Sequence, residues 1–170
     1  MLPCTVTHTR GTKGTMRSRL SLVMCGGMVL ALACHHGPEP LAPVLPTERV
    51  YYDDGPAFRD SVRMVVEDSA TWKRVWARAT STQPSPPPRP EVDFPSEVLL
   101  VVAAGRMAPG DQIHVDSVGV KGDFFFVVVR TTVECRPLVA DVYPLEIVRV
   151  RRTGKAVAFA ERRDKGANCQ

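Results

Sequence analysis

The sequence predicts a mostly β domain of the α+β class. It would be an antiparallel sheet or sandwich of about six to seven strands with one short amphipathic helix. Dense or alternating apolar segments recur in the second half of the chain, as in strands with one or both faces buried. Glycine-containing turns separate several of these segments. A single segment has apolar residues at helical spacing, which predicts one helix.

The first predicted elements precede the proline-rich part of the chain. Residues 51–56 are expected to be extended and to end in a turn, because Asp-Gly and Gly-Pro pairs favour chain reversal. Residues 62–66 are predicted to form a strand. Asp68 or Ser69 is a suitable N-cap for a helix whose apolar residues share one face. These residues are Trp72, Val75, Trp76 and Ala79, and we expect both tryptophans to lie in the core.

The remaining strands follow a proline-rich segment at residues 80–90, which is predicted to be an exposed surface loop. Residues 97–104 are almost continuously apolar, as expected for a central strand covered on both faces. Apolar runs with turns between them predict four further strands. They cover residues 112–118, 124–130, 145–151 and 156–161.

Alternation predicts which side chains of the next-to-last strand face solvent. Glu146, Arg149 and Arg151 are expected near the solvent side. Arg149, Arg151 and Arg152, together with Arg130, are candidates for a basic stripe that an anionic ligand or partner surface would use. A solvated strand face is the simpler interpretation.

Residues 20–34 have the layout of a secretion signal. Two arginines precede a short apolar run, and small residues come directly before Cys34. The run is shorter than the roughly 20 residues of a membrane-spanning helix. We therefore expect residues 1–33 to be a signal segment, with the true start at Met16, and Cys34 to be lipidated. The other interpretation is an ordinary cleaved signal with an unrelated cysteine nearby.

Lipidation would make the protein an exported, membrane-anchored lipoprotein of the bacterial cell envelope, on its periplasmic or surface face. Residues 34–48 contain four prolines and little that could be buried, as in a spacer between a lipid anchor and a domain. Residues 49–170 are long enough for a single domain with its own core.

The charge balance gives no support for nucleic-acid binding. The chain has 22 Lys and Arg residues and 18 Asp and Glu residues. Four of the basic residues precede Cys34, which leaves equal numbers of basic and acidic residues in the mature chain. A neutral balance provides no field to attract a phosphate backbone, so no nucleic-acid partner is expected.

Cys135 and Cys169 are the two cysteines within the predicted domain. One pair of cysteines in an exported domain predicts a disulfide. It would hold a polar tail at residues 162–168 that hydrophobic burial alone would not keep in place. Two cysteines without other soft ligands make a poor zinc site, and neither a metal nor another cofactor is expected.

The order of several motifs carries a family resemblance. The motifs are Thr-Trp-Lys-Arg-Val-Trp at 71–76, Val-Asp-Phe-Pro at 92–95, Gly105-Arg106 and Pro109-Gly110 in one turn, and Tyr-Pro-Leu-Glu-Ile-Val-Arg-Val at 143–150. With this order, residues 62–160 resemble the family of protease-complex lipoprotein subunits known as the PrcB C-terminal domain. The family's turn usually carries a Thr-Gly-Gly-Tyr-like sequence, and residues 108–112 lack its second glycine and its aromatic residue.

The resemblance implies a non-catalytic accessory lipoprotein, associated in some relatives with an exported protease. We therefore expect a non-enzymatic binding subunit that docks an exported protein, possibly a protease, at the membrane. The turn with Gly105, Arg106, Pro109 and Gly110 is its candidate partner-contact loop, and edge strands also suit a macromolecular contact. The alternative is an envelope lipoprotein that binds a small ligand or a metal at the open end of the sheet.

No assembled catalytic motif is evident in the sequence. His114 is the only histidine of the predicted domain, and Asp116 and Ser117 follow it closely. Alternation places Ser117 on the opposite face from His114, so we expect a solvated histidine and no enzymatic activity. We expect the adjacent carboxylates at 53/54 and 67/68 to be solvated or to cap turns and helices. They do not suit a glycosidase, whose two catalytic carboxylates face each other across a cleft.

Overall fold

The computed structural model describes residues 44–137 and 139–169. These residues form seven strands and one helix, which confirms the predicted fold class. In chain order the elements are β1 Glu48–Asp53, β2 Ser61–Val66, α1 Ser69–Ala79, β3 Glu97–Ala104, β4 Gln112–Lys121, β5 Phe124–Val133, β6 Leu145–Arg151 and β7 Ala156–Lys165.

The first sheet has the strand order β1-β6-β3-β2, and all of its pairs are antiparallel. β3 lies inside this sheet and begins and ends at the predicted residues. Its side chains alternate between two apolar environments. Leu99 and Val101 pack on the helix side, whereas Leu100 and Val102 pack towards the other sheet. A strand covered on both faces explains why its sequence is apolar without alternation.

The second sheet has the order β4-β5-β7. β4 and β5 form an antiparallel hairpin, but β5 and β7 are parallel, from Phe124 beside Ala156 to Val133 beside Lys165. The prediction of an entirely antiparallel arrangement is therefore wrong for this pair. The chain leaves the second sheet after β5, supplies β6 to the first sheet, and re-enters beside β5 in the same direction. The long pairing also extends β7 into the tail that the disulfide was predicted to hold.

The helix α1 covers the outer face of the first sheet. Asp68 is its N-cap, and the Asp68 carboxylate accepts hydrogen bonds from the backbone N–H and the hydroxyl of Thr71. Trp72 and Trp76 are buried as predicted. Their indole N–H groups donate to the backbone oxygens of Pro90 and Pro87, at 2.9 and 3.3 Å. These bonds attach the largely exposed proline-rich segment to the helix.

Two apolar cores result from this helix–sheet–sheet arrangement. The core beneath the helix contains both tryptophans, together with Phe58, Leu99 and Ile147. The core between the sheets is built from β3, β6 and the inward residues of the second sheet, namely Ile113, Val118, Phe125, Val127 and Val129. Full burial of each large aliphatic or aromatic side chain contributes roughly 1.5–3 kcal/mol, so both layers stabilise the first sheet.

The last residues of the predicted tether, residues 34–48, already contact the domain at Leu45. The backbone N–H of Leu45 donates to the Val118 oxygen at 3.0 Å, and the Leu45 side chain packs on the inter-sheet core. β1 begins at Glu48. The proposed signal segment and lipidation site at Cys34 lie outside the described residues. Within the described ranges, no helix is long and apolar enough to cross a membrane.

Candidate functional site

The predicted partner-contact loop lies at the end of the domain where β3 and β5 terminate. Gly105 has a φ of +76°, and a Cβ atom there would lie 3.1 Å from the Ser61 backbone nitrogen, so the turn depends on glycine. Arg106 pairs with Asp141 at 2.7 Å. Gly110 has a φ of +93° and lies beside the Arg136 side chain. The loop is thus in contact with the segment that follows β5.

Asp111 fastens this turn to its neighbours. Its side chain is buried and accepts hydrogen bonds from the backbone N–H groups of Glu134, at 2.8 Å, and Ala108, at 3.2 Å. Backbone hydrogen bonds between Met107 and Val142 form a second attachment. The turn is therefore held by backbone and buried carboxylate contacts rather than by a hydrophobic anchor.

Cys135 and Cys169 form the predicted disulfide, with their Cα atoms 5.1 Å apart. Cys135 has a φ of +56°, an uncommon conformation for a residue with a side chain. The backbone N–H of Gly166 donates to the Val133 oxygen, and the Asn168 amide donates to Glu134. These contacts join the C-terminal residues to the end of β5.

We refer to residues 105–111, 134–137, 139–142 and 166–169 together as the disulfide end. Its surface includes Arg136, which is exposed, and Val139, whose relative exposure is 82%. An apolar side chain this exposed contributes no hydrophobic stabilisation to the fold. The disulfide end therefore combines a fixed backbone with an available apolar contact.

A cleft of about 350 Å³ opens beside the disulfide end, where the edges of β2 and β7 face each other. Four arginines line it, namely Arg63, Arg106, Arg162 and Arg163, and we call it the arginine cleft. Arg63 is fixed by a bidentate pair with Glu161 and by hydrogen bonds to two backbone oxygens. Arg106 contributes to both the predicted contact loop and this cleft.

A polar seam closes the opposite side of the sandwich, where β4 meets β1 and β6. It consists of Arg49, Tyr52, His114 and Glu146. The Glu146 side chain is only 2% exposed. It accepts hydrogen bonds from Arg49 Nε and from the Val115 backbone N–H, each at 2.6 Å. The prediction that Glu146 lies near solvent is wrong, because β1 and β4 cover this part of β6.

His114 belongs to the same seam. Its Nδ1 lies 3.3 Å from Glu146 Oε1, its Nε2 lies 3.1 Å from Gln112 Oε1, and its ring stacks on Tyr52. The side chain is 23% exposed, so His114 is only partly solvated and not free in solvent as expected. Asp116 pairs instead with Arg130 at 2.9 Å. The structure does not bring Asp116 to His114, and the possible catalytic trio is not assembled.

The Tyr52 phenol has a higher pKa than an ordinary tyrosine and keeps its proton at higher pH. Burial is the largest cause, followed by its hydrogen bond to Asp54 and the negative charges of Asp54 and Glu146. Together they raise the pKa of the Tyr52 phenol well above its usual value, and the nearby Arg49 opposes them in part. Tyr52 therefore acts here as a neutral hydrogen-bond donor.

The proposed basic stripe does not form. Arg130 lies on β5 of the second sheet, whereas the other three arginines lie on or directly after β6. Arg149 is close to Glu48 and Glu97, and Arg152 pairs with Glu67. Alternation within one strand predicts which of its residues face solvent. It does not predict the acidic side chains from other parts of the chain that lie beside these arginines.

The adjacent carboxylates have structural partners, as expected. Asp53 accepts a hydrogen bond from the Gly55 backbone N–H in the turn after β1. Glu67 pairs with Arg152, and Asp68 caps the helix. Among residues 44–137 and 139–169, no three histidine, cysteine or acidic side chains are grouped to hold a metal ion.

Sequence reasoning identified Arg106 but not the arginine cleft, because its members come from β2, β7 and the turn after β3. The pair Arg162-Arg163 directly after the last predicted strand was the available signal, and it was interpreted as part of a tail. Comparisons with protein-family models, with curated proteins and with solved structures found no match.

Proposed function

We propose that this protein is a membrane-tethered, non-enzymatic binding module that docks an exported protein through its disulfide end. The observation that carries the proposal is the joining of three chain segments into one fixed surface. The disulfide, the Asp111 carboxylate and the Met107–Val142 backbone pairing hold these segments together. A surface fixed before binding loses less conformational entropy when a partner docks.

The exposed groups at this end suit a protein partner. Val139 offers an apolar contact, and Arg106 and Arg136 offer long side chains that combine stacking with hydrogen bonding. Arginine is enriched in protein interfaces for this reason. The resemblance to the PrcB C-terminal domain supports the same assignment and suggests an exported protease as the partner.

The sequence pattern around Cys34 supports the tether. An acylated Cys34 followed by a proline-rich spacer would hold the domain a short distance from the membrane and raise its local concentration near other membrane-bound proteins. An enzymatic function has less support, because the single histidine of the domain is engaged with Glu146, Gln112 and Tyr52.

The proposal is tested by photo-crosslinking in cells. A photoreactive amino acid is placed at Val139, and a matched control is placed at Asp123 in the β4–β5 turn, at the opposite end of β5. We expect a discrete protein adduct from position 139 and none from position 123. Retention of a small molecule, with no protein adduct from position 139, would support the alternative of a ligand-binding lipoprotein.

A further inference from the structure

The residues that line the arginine cleft favour a ligand of definite chemistry, and this inference rests on the proposed function. We infer that the cleft binds an extended acidic segment of the partner protein, which pairs with the outer edge of β7. The segment would place its carboxylates against Arg106, Arg162 and Arg163.

The three arginines are available to such a segment in different degrees. The Arg163 side chain is exposed and makes no hydrogen bond or ion pair with the side chains or backbone of the described residues. Arg106 and Arg162 pair with Asp141 and Asp164, but the arginine side chains are 60% and 57% exposed. Exposed ion pairs contribute little to stability, so a partner carboxylate can replace them at little cost.

Arg63 has a structural role rather than a role in ligand contact. Its side chain is 20% exposed, and the pair with Glu161 joins β2 of the first sheet to β7 of the second. Its guanidinium also donates to the backbone oxygens of Val62 and Ala103. With its donors used in this way, Arg63 sets the width of the cleft, and the ligand contacts fall to the other three arginines.

Protection of an edge strand is the simplest alternative explanation for the charges on β7. Charged residues on an edge strand discourage pairing with other chains. Arg106, however, lies in the turn after β3 and lines the same cleft as Arg162 and Arg163. Protection of the β7 edge does not require a positive charge from a second structural element. Recognition of a carboxylate, in contrast, is strengthened by such a charge.

A protein segment fits the cleft better than a membrane surface does. Glu161, Asp141 and Asp164 are interleaved with the arginines, so positive charge is available at separate points rather than as a continuous field. Such an arrangement suits carboxylates spaced along a peptide better than a uniformly negative lipid surface. Among the described residues, β7 is the last strand of its sheet, so its outer backbone edge has no strand partner. An extended peptide can hydrogen-bond to such an edge, and its alternate side chains then reach the cleft.

Fluorescence anisotropy with the exported full-length protein tests the inference. The probe is a fluorescein-labelled peptide of alternating glutamate and valine, and the same peptide with glutamine in place of glutamate is the control. We expect only the glutamate peptide to bind, and added salt to weaken its binding. A second form of this peptide, with alternate backbone nitrogens methylated, should bind about tenfold more weakly because it cannot complete strand pairing.

Variants of the protein locate the site. R106Q/R163Q should weaken binding of the glutamate peptide about tenfold, whereas R151Q, which removes an exposed arginine outside the cleft, should leave it unchanged. Equal effects of the two variants would overturn the inference. So would binding of inorganic phosphate or of phosphatidylglycerol vesicles without binding of the glutamate peptide.

The photo-crosslink at Val139 separates failure of this inference from failure of the proposed function. If the adduct forms and R106Q/R163Q reduces its yield, both stand. If the adduct forms with undiminished yield in R106Q/R163Q, the protein docks a partner but the arginine cleft does not receive it. If position 139 gives no protein adduct, the proposed function fails, and the acidic-partner inference fails with it.

Discussion

The Glu146 carboxylate accepts a hydrogen bond from the backbone N–H of Val115 at 2.6 Å, so a side chain of the first sheet completes the backbone pairing of the second. The β4–β5 register shifts between Val115 and Ser117, which marks a β-bulge. Bulges leave the ladder locally disrupted. Glu146 accepts a hydrogen bond beside this irregularity, and Arg49 balances its charge.

We expect Glu146→Ala to lower the free energy of unfolding by about 2–3 kcal/mol, because it removes the acceptor of a part-buried N–H and the partner of Arg49. Urea denaturation measures this change. Glu91→Ala is the matched control, since Glu91 is exposed and should change stability by less than about 0.5 kcal/mol. Equal stability of the two variants would show that the seam contributes little.

Tyr52 makes stability depend on alkaline pH. Its pKa is raised in the folded protein relative to the usual 10.0, mainly by burial. The folded state therefore holds the phenolic proton more tightly than the unfolded state does. The resulting stabilisation is fully present below pH 10 and is lost as the pH rises above 10 towards the higher folded pKa.

Tyr52→Phe should remove this part of the alkaline destabilisation. The measurement is the slope of the unfolding free energy against pH between about 9 and 11, which should be shallower in Tyr52→Phe than in the wild type. Tyr143→Phe is the comparison, because Tyr143 is a tyrosine outside the seam. Identical slopes for the wild type and Tyr52→Phe would contradict the role assigned to burial.

Local sequence patterns predicted the elements whose environment is uniform along their length. β3 and β6 begin and end at the predicted residues because their buried runs are bounded by turns, and Trp72 and Trp76 share a face by helical spacing alone. Glu146 lies within β6, and its burial depends on β1 and β4, which cover it from outside the strand.

Features that depend on the path of the chain were not predictable in this way. The parallel pairing of β5 with β7 follows from the excursion of β6 into the other sheet. The arginine cleft joins residues about 100 positions apart, since Arg63 contacts Glu161. His114 was expected to be solvated, because alternation describes a single strand. It gives no information about Tyr52, which packs on the His114 ring from β1.

Lipidation of Cys34 is the prediction on which the membrane tether depends. Metabolic labelling with an alkyne fatty acid should label the wild-type protein, and Cys34→Ser should abolish the label because the acyl chains have no thiol to modify. Cys25→Ser is the matched control, since Cys25 lies within the predicted signal segment and its loss should leave the label intact. Persistent label in Cys34→Ser would place the modification elsewhere.

The Cys135–Cys169 disulfide should stabilise the domain and its disulfide end together. It closes a loop of 34 residues. Replacing both cysteines by serine should lower the free energy of unfolding by roughly 3–4 kcal/mol in the chain-entropy model. Residues 166–169 are mostly polar and would lose their covalent attachment, so the yield of the Val139 crosslink should fall as well.

Reduction provides the control for this substitution. The exported wild-type protein treated with reductant should unfold at the same urea concentration as Cys135→Ser/Cys169→Ser, because both lack the same constraint on the unfolded chain. Alkylation followed by intact-mass measurement should modify both domain thiols only after reduction. If the double variant is as stable as the oxidised wild type, the backbone hydrogen bond from Gly166 to Val133 and the side-chain hydrogen bond from Asn168 to Glu134 suffice to hold the C-terminal residues. The disulfide would then not be what fixes the proposed docking surface.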